Sequence, residues 1–415
     1  GVERGWVFTI DDGTVFEFGE ESMTTNTSFD ITQPLPQGTV LLAASAGTGK
    51  TWTISAVCAK AIATGLVHME NLLLVTFNRS AARELRGRVY ERLVNTRLLL
   101  AGAREPSDPC DWSLIRCGQA GLTRVESALD NFDRAVITTT HEFASRMLVE
   151  LGVLSDHDPS SVLMTDLAPL ATEVSDDHYL AQYLDCDRPP SVRDKRELSR
   201  DVAVKYGEVP IFSKDDADTP VQDVLWALSV REDVRRRSKS RSVHTFDDLI
   251  GDLVKALRDP YRGPLACATL AHRFGLVMVD EFQDTDPLQW EILRRAFHGH
   301  SNLWLIGDPK QSIYAFRGAD IHAYQDAAQS ASHVLHLDVN YRTDKPIVEA
   351  VNTLFSNAQL GHDISMELVT AHHQESRIKT AATDGPRYHW SQPFQIRCLQ
   401  AVSYTHLTLP TIYSV

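Results

Sequence analysis

The sequence predicts an α/β fold built on a parallel β-sheet, with a mainly helical region inserted into it. Three observations support this prediction: short, continuous apolar runs such as LLLVTF at 72–77, helical spacing of apolar residues after several of those runs, and a long polar stretch at 155–240 without a strong strand. Continuous apolar runs are typical of strands buried on both faces, and their alternation with helices favours parallel pairing.

Five apolar runs are predicted to form strands, and helices are predicted after three of them. The strands are expected at 39–44, 72–77, 135–140, 276–282 and 302–308. The helices are expected from Trp52 to about Gly65, from Ser80 to about Leu100, and from His141 onward. The stretches 99–124 and 371–393 are expected to be loops.

The composition is ordinary for a globular protein. The chain has 415 residues, is 43% hydrophobic and 23% charged, and has a formal net charge of −14. No apolar run approaches the ~20 residues that cross a bilayer, and no secretion-type start is present, so a cytoplasmic location without a membrane partner is expected. The six cysteines form no C-x-x-C pair, which indicates neither a zinc site nor a disulfide framework. The negative charge argues only weakly against nucleic-acid binding, because local basic patches decide it.

Both ends of the sequence differ in character from the middle. Residues 1–27 are interpreted as an extension that is not native before Met23, which is a plausible start. Residues 401–415, AVSYTHLTLPTIYSV, resemble read-through of a sequencing adaptor; the alternative is an ordinary β-rich tail. On the first interpretation, we expect this tail not to pack against the rest of the chain.

The strongest local signal is AASAGTGKT at 43–51, between a predicted strand and a predicted helix. This is the context of a P-loop, in which glycines allow a tight turn and backbone N–H groups face phosphates. Lys50 is predicted to reach the β- and γ-phosphates of ATP, and Thr51 to ligate Mg²⁺. The other predicted ATP-binding residues of the loop are Ala44, Ser45, Ala46, Gly47, Thr48 and Gly49. The alternative is a chance glycine-rich turn.

A second signal is VMVDEFQDTD at 277–286, an apolar strand that ends in paired carboxylates. Asp280 is predicted to hold Mg²⁺ through its water shell, and Glu281 to act as the general base that polarises the attacking water. We expect Lys50 and Asp280 to lie at the ends of neighbouring strands. Taken alone, such an acidic pair is more often an exposed polar cap.

These segments resemble the UvrD/Rep/RecB group of superfamily 1 DNA helicases. The resemblance rests on DEFQDT at 280–285, LIGDPKQSIYAFRGAD at 305–320 and LDVNYRTDKPIVEAVNTLF at 337–355, in that order. It implies a P-loop NTPase fold with RecA-like domains. The implied boundaries are 28–154 and 241–335 for the two parts of the first domain, 155–240 for its helical insert, and 336–400 for an incomplete second domain.

The resemblance also implies roles for residues outside the P-loop. Gln311 would sense the γ-phosphate, Arg342 would act as an arginine finger, and Tyr341 would stack on adenine, which Gln33 would read. The residues implied to contact DNA are Thr76, Phe77, Asn78, Thr140, His141, Tyr314, Phe316 and Arg317. Aromatic faces stack on bases of any sequence, and arginine holds phosphate. Core packing for Phe316 and a structural role for His141 are the alternatives.

Ala44 departs from the general P-loop pattern, in which a glycine comes first, but alanine is common there in superfamily 1 helicases. The stretch TTTHEFASRML at 138–148 resembles the TIHGFC-type motif of RecB-like chains, from which Glu142 and Ala144 depart. Two further stretches are open to two interpretations. The basic run 231–241 is either a solvated helix face or a contact to the DNA backbone, and HTFDDLI at 244–250 is either a family segment or a helix cap.

The opening FDITQPLPQGTVLLAASAGTGKT resembles the RecB branch of this group in actinobacteria. This implies an ATP- and Mg²⁺-dependent 3′→5′ helicase in double-strand break repair, acting on single-stranded DNA and duplex ends with RecC- and RecD-like subunits. The alternatives are a UvrD- or AddA-type helicase, a nucleotide-binding fragment without motor activity, and a P-loop kinase or small-molecule ATPase. Later helicase motifs and the RecB nuclease are missing from the sequence, so this polypeptide is expected to bind nucleotide weakly and to unwind nothing.

Overall fold

The computed structural model of the protein describes residues 7–9, 15–17, 27–155, 157–158, 161–164, 166–204, 221–313, 319–356, 358, 364, 368–375 and 377. The chain divides into two compact units, Gly1–Leu337 and Asp338–Val415. The proposed start at Met23, the tail at 401–415 and most of the predicted loop at 371–393 lie outside the described residues.

Strands and helices alternate along most of the first unit. The strands are β1 Val7–Thr9, β2 Val15–Glu17, β3 Thr27–Ser28, β4 Thr39–Ala44, β5 Leu72–Thr76, β6 Val136–Thr139, β7 Val162–Leu163, β8 Val243–His244, β9 Leu276–Val279, β10 Asn302–Gly307, β11 His333–Leu337, β12 Val339–Asn340 and β13 Thr370–Ala371. The helices are α1 Lys50–Thr64, α2 Arg79–Leu100, α3 Pro109–Leu114, α4 Gly118–Asp130, α5 Thr140–Leu151, α6 Ala168–Tyr183, α7 Val192–Val204, α8 Val221–Ser240, α9 Phe246–Arg258, α10 Gly263–Arg273, α11 Pro287–Phe297, α12 Ile321–Ser330 and α13 Lys345–Leu354.

The predicted parallel α/β fold is confirmed. Seven strands form one sheet in the order β3-β11-β4-β10-β9-β5-β6, and every neighbouring pair is parallel. The five predicted strands are its β4, β5, β6, β9 and β10. Two members, β3 and β11, were not predicted, because β3 has two residues and β11, HVLHL, interrupts its apolar residues with histidines.

Alternate residues of the central strands enter two separate cores, as the strand period of two requires. Leu42, Leu74 and Trp304 belong to the core beneath α1, α2 and α4, whereas Leu41 and Leu305 belong to the core beneath α5, α9 and α11. Burial on both faces explains why these strands are continuous apolar runs in the sequence. The same burial fixes the register in which their carboxyl ends meet at one edge.

Residues 99–124 contradict the predicted loop, because they contain α3 and the start of α4. Polar residues form much of this segment, but several of them form hydrogen bonds with one another around a buried aspartate. Asp111 is fully buried and accepts hydrogen bonds from Arg92 (3.2 Å), Arg104 (2.6 Å) and the Ser107 N–H (2.9 Å). The sequence pattern could not show that this segment is ordered, because Arg92, one of the two arginine partners of Asp111, lies on α2, outside the segment.

The region predicted as a helical insert contains α6, α7 and α8, which surround a small apolar core of their own that includes Val174, Trp226 and Val230. In the basic run, Arg237 and Arg241 pair with Glu173 of α6 at 3.0 Å and 2.6 Å. Part of that charge therefore joins two helices. That the region is a separate subdomain lying over the motor domain stays a prediction.

In the second unit, β12 pairs with β13 in parallel and α13 follows β12. Asp344, just before α13, accepts hydrogen bonds from the backbone N–H of Arg377 (2.8 Å) and from its Nε (2.6 Å). These bonds connect the start of α13 to the residues after β13. Across both units, every helix among the described residues is too short or too polar to cross a membrane.

We expect Asp111→Ala to destabilise the first unit by about 2–4 kcal/mol, because it leaves the buried guanidinium of Arg92 and the partly buried guanidinium of Arg104 short of a partner. Urea unfolding followed by circular dichroism would measure this change. Glu105→Ala, an exposed acidic residue of the same connection, is the matched control and should change stability by less than about 0.5 kcal/mol. Equal effects of the two substitutions would contradict a structural role for the buried network.

Candidate functional site

The segment predicted as a P-loop forms a tight turn between β4 and α1. Gly47 and Gly49 have φ values of 84° and 90°, in the left-handed region that favours glycine, and Gly49 is the residue before the helix. The Thr48 hydroxyl donates to the Ser45 carbonyl at 2.7 Å and closes the turn. The free N–H groups of the first turn of α1 and its positive dipole end make this a favourable place for phosphate.

Lys50 begins α1, and its Nζ lies 2.6 Å from Glu281 Oε2. Glu281 follows the end of β9 with a φ of 54°, a conformation that costs a non-glycine residue free energy. The expectation that Lys50 and Asp280 lie on neighbouring strands is wrong, because β10 separates β4 from β9 in the sheet. The long side chain of Lys50 spans the intervening strand, so the two motifs still meet.

Gln283, to which the sequence analysis assigned no role, connects this ion pair to the next motif. Its Nε2 donates to Glu281 Oε2 at 2.8 Å, and its Oε1 accepts the backbone N–H of Asp308 at 2.9 Å. Asp308 in turn accepts a hydrogen bond from Gln311 Nε2 at 2.7 Å. Gly307 makes room for this link, because a Cβ there would lie 2.5 Å from Gln283 Oε1. The sequence signal that could have indicated this role is the glutamine two residues after the acidic pair Asp280–Glu281.

Two carboxylates next to Glu281 are held in an unfavourable charged environment. Burial, followed by the negative charge of Glu281, raises the pKa of Asp280 to about 6 and that of Asp284 to about 6. Asp284 Oδ1 is buried without a hydrogen-bond partner among the residues that the structure describes. Oxygen ligands from Asp280, Asp284 and Thr51 are the type that Mg²⁺ prefers, and a cation would offset the crowded negative charge. The residues at this edge therefore fit the predicted metal ion.

Gln33 lies on an exposed turn that is attached to α1 by a buried lysine. Lys60 Nζ donates to the backbone carbonyls of Ile31 and Gln33, each at 2.6 Å. Burial lowers the pKa of Lys60, and the nearby thiols and Asp30 oppose that shift. The sequence analysis missed Lys60, because it reads as one polar residue in an apolar helix. Its contacts fix the position of the turn that carries the proposed adenine-reading glutamine.

The residues predicted to contact DNA fall into three groups. Phe77, Asn78 and His141 line one open groove of about 490 Å³ beyond the ends of β5 and β6, together with Phe246. Asn78 also caps α2, since its side chain accepts the Ala81 N–H at 2.8 Å. Thr76 is buried and donates to the Asn78 carbonyl, and Thr140 lines a small apolar pocket beside Phe143, so neither lines the groove.

The third group, Tyr314, Phe316 and Arg317, lies outside the described residues. Tyr341 and Arg342 belong to the second unit. The Tyr341 ring is half-exposed with its centroid 4.8 Å from that of His372, and the Arg342 N–H donates to Asn340 Oδ1 at 2.9 Å. In the HTFDDLI stretch, Thr245 and Asp248 form a capping box at the start of α9, which is the alternative interpretation of that stretch.

Comparison with known proteins agrees with this geometry. RecBCD enzyme subunit RecB of Mycobacterium tuberculosis is 38% identical over 371 residues, which are 86% of this chain and 34% of that protein. RecBCD enzyme subunit RecB of Escherichia coli is 46% identical over 129 residues, 31% of this chain and 11% of that protein. ATP-dependent DNA helicase UvrD1 of Mycobacterium bovis is 27% identical over 326 residues, 76% of this chain and 37% of that protein.

The chain spans about a third of the length of the curated RecB relative from M. tuberculosis. Residues 25–332 match the family described as the UvrD/REP helicase N-terminal domain. This match includes the P-loop, the acidic strand end and the Gln283–Asp308 link. The chain therefore belongs to the family of UvrD/REP helicase N-terminal domains.

Proposed function

We propose that this protein is the nucleotide-hydrolysing part of an ATP-dependent DNA helicase in DNA repair, of the RecB type, which moves 3′→5′ on single-stranded DNA. The observation that carries the proposal is the contact between Lys50 at the P-loop and Glu281 at the acidic strand end. Such a contact brings a phosphate-binding cation and a candidate general base together at the carboxyl edge of the sheet, where the P-loop would hold the phosphates of ATP. The RecB relatives support the choice of branch.

In the proposed reaction, ATP binds on the N-terminus of α1 through Ser45–Thr51. Lys50 then exchanges its partner, leaving Glu281 for the β- and γ-phosphate oxygens. The freed carboxylate of Glu281 orients a water molecule and accepts its proton as the water attacks the γ-phosphate. Mg²⁺, when bound by Thr51 and Asp280, would neutralise charge on the phosphates.

The Gln283 link offers a path from hydrolysis to DNA. Gln311 is proposed to sense the γ-phosphate, and the residues that follow it, Tyr314, Phe316 and Arg317, to contact single-stranded DNA. Asp308 holds Gln311 and is itself held by Gln283, which contacts Glu281. A change at the γ-phosphate would therefore be transmitted through three consecutive hydrogen bonds. Phe77 and His141 are proposed as further DNA contacts, since they share the groove beyond β5 and β6.

The remaining roles follow the motif resemblance described above. Arg342 and Tyr341 are proposed to act as arginine finger and adenine-stacking residue. The printed name of the RecB relatives includes the RecBCD enzyme, so RecC- and RecD-like subunits are the proposed partners, in the cytoplasm. The match to UvrD1 favours a second candidate, a UvrD-type helicase that works without them. Co-purification of such subunits with the protein in its native cells would separate the two.

In the intact parent protein, we expect Glu281→Gln to lower ATP hydrolysis by about 10²–10⁴-fold, because a neutral amide cannot accept the proton of water. ATP binding should persist, because the amide no longer competes as an anion for Lys50. Steady-state phosphate release and equilibrium binding of a fluorescent ATP analogue would measure the two effects. Glu91→Gln, an exposed glutamate on α2, is the control; turnover of Glu281→Gln within about threefold of wild type would remove Glu281 from the mechanism.

We expect Gln283→Leu to reduce ATP hydrolysis by about tenfold while ATP affinity changes little. The substitution leaves the buried Asp308 N–H without its acceptor and frees Glu281 from a donor that orients it. The same two assays would test this, with Gln119→Leu on the exposed face of α4 as the control. A variant that loses affinity and turnover in parallel would indicate general damage to the site instead.

We expect Phe77→Ala to weaken binding of single-stranded DNA by about 5–100-fold, the effect of losing one base–aromatic stack. Fluorescence anisotropy with a labelled oligothymidylate at fixed salt would measure the affinity. Trp112→Ala removes an aromatic residue that is 63% exposed and distant in sequence from the groove, so it serves as the control. Unchanged affinity for Phe77→Ala would show that the groove does not bind bases.

A further inference from the structure

Three potential metal ligands converge outside the P-loop and the acidic strand end. His157, His244 and Asp252 each offer one ligand atom, and these atoms all lie within 4.8 Å of one another. His244 Nδ1 is 3.4 Å from Asp252 Oδ2. That separation is close to the edge of about 3.3 Å expected between two ligands of a tetrahedral zinc ion with bonds of about 2.0–2.1 Å.

The three ligands lie where the chain passes from the elements that pack on the central sheet into the helical region α6–α8, and where it returns from that region. His157 follows α5, His244 lies on β8, and Asp252 lies one and a half turns into α9. Just beyond His157, β7 pairs with β8, joining Val162 to Val243 and Leu163 to His244. The cluster therefore connects β8 and the segment that precedes β7 to α9, which packs on the central sheet.

The hydrogen bonding of the cluster leaves ligand atoms available. His157 Nδ1 is buried and has no hydrogen-bond partner within the described part of the chain. Asp252 uses one oxygen, Oδ1, for Lys255 at 3.1 Å and presents the other to His244.

We propose that His157, His244 and Asp252 bind a divalent transition-metal ion, with Zn²⁺ as the best chemical match. Two imidazole nitrogens and one carboxylate oxygen are a ligand set for zinc rather than for Mg²⁺, which prefers oxygen ligands alone. Water completes the tetrahedron, since the cluster opens on a cleft of about 570 Å³ that His244 and Asp252 help to line. The ion joins the segments that enter and leave the helical region to α9, which packs on the central sheet. This proposal is independent of the proposed function.

The test is titration of the metal-stripped 415-residue protein with Co²⁺ in the presence of excess Mg²⁺, which occupies oxygen-ligand sites. We expect one equivalent of Co²⁺ to bind with the intense visible absorption of tetrahedral coordination, and stoichiometric Zn²⁺ to displace it. His157→Ala and His244→Ala should each weaken binding by at least about tenfold. His178→Ala is the matched control, because His178 pairs with Asp233 at 2.9 Å within the helical region.

A second measurement guards against misfolding of the alanine variants. Zn²⁺ should raise the thermal unfolding temperature of wild type and of His178→Ala, because a ligand that binds only the folded state stabilises it. It should leave the more conservative His157→Asn unchanged. Octahedral Co²⁺ spectra, no binding in excess Mg²⁺, or equal affinity in His157→Asn and wild type would each overturn the proposal. ATP binding in the same samples reports separately on the P-loop.

Discussion

The ion pair between Lys50 and Glu281 depends on much of the first unit being correctly built. The two residues come from motifs about 230 positions apart, and β10 lies between their strands. Their 2.6 Å contact requires the left-handed Gly49 that starts α1, the left-handed Glu281 that turns the chain after β9, and the register of three parallel strands. A partly buried pair of this kind costs desolvation, which nucleotide binding would offset by giving Lys50 a stronger partner.

Around this pair the protein retains several unfavourable features. Glu281 occupies a strained backbone conformation, and Asp280 and Asp284 have raised pKa values beside it. None of these features contributes to the stability of the sheet. Strain and crowded charge of this kind are common at functional sites, where a bound cation and phosphates relieve them. The surrounding core must supply the stability, and the two continuous apolar layers on either face of the sheet do so.

The helical region formed by α6, α7 and α8 lies between β6 and β9 in the chain. Its helices share a small core of their own, and ion pairs such as Arg237–Glu173 join α8 to α6. Two short strands and the proposed metal cluster mark its root.

The sequence by itself determined the parallel fold, the P-loop, the acidic strand end and the family, because each is written in contiguous residues with a local physical meaning. Uninterrupted apolar side chains predicted the strand at 39–44 with its observed bounds and the strand at 72–77 with an end one residue beyond the observed Thr76. Only the tertiary structure decided what depends on distant partners: the order of α3 through Arg92 and Asp111, the membership of β11 in the sheet, the Gln283 link and the meeting of His157 with His244 and Asp252. Each of these rests on contacts between segments far apart in the chain, and a pattern of neighbouring residues carries no record of such contacts.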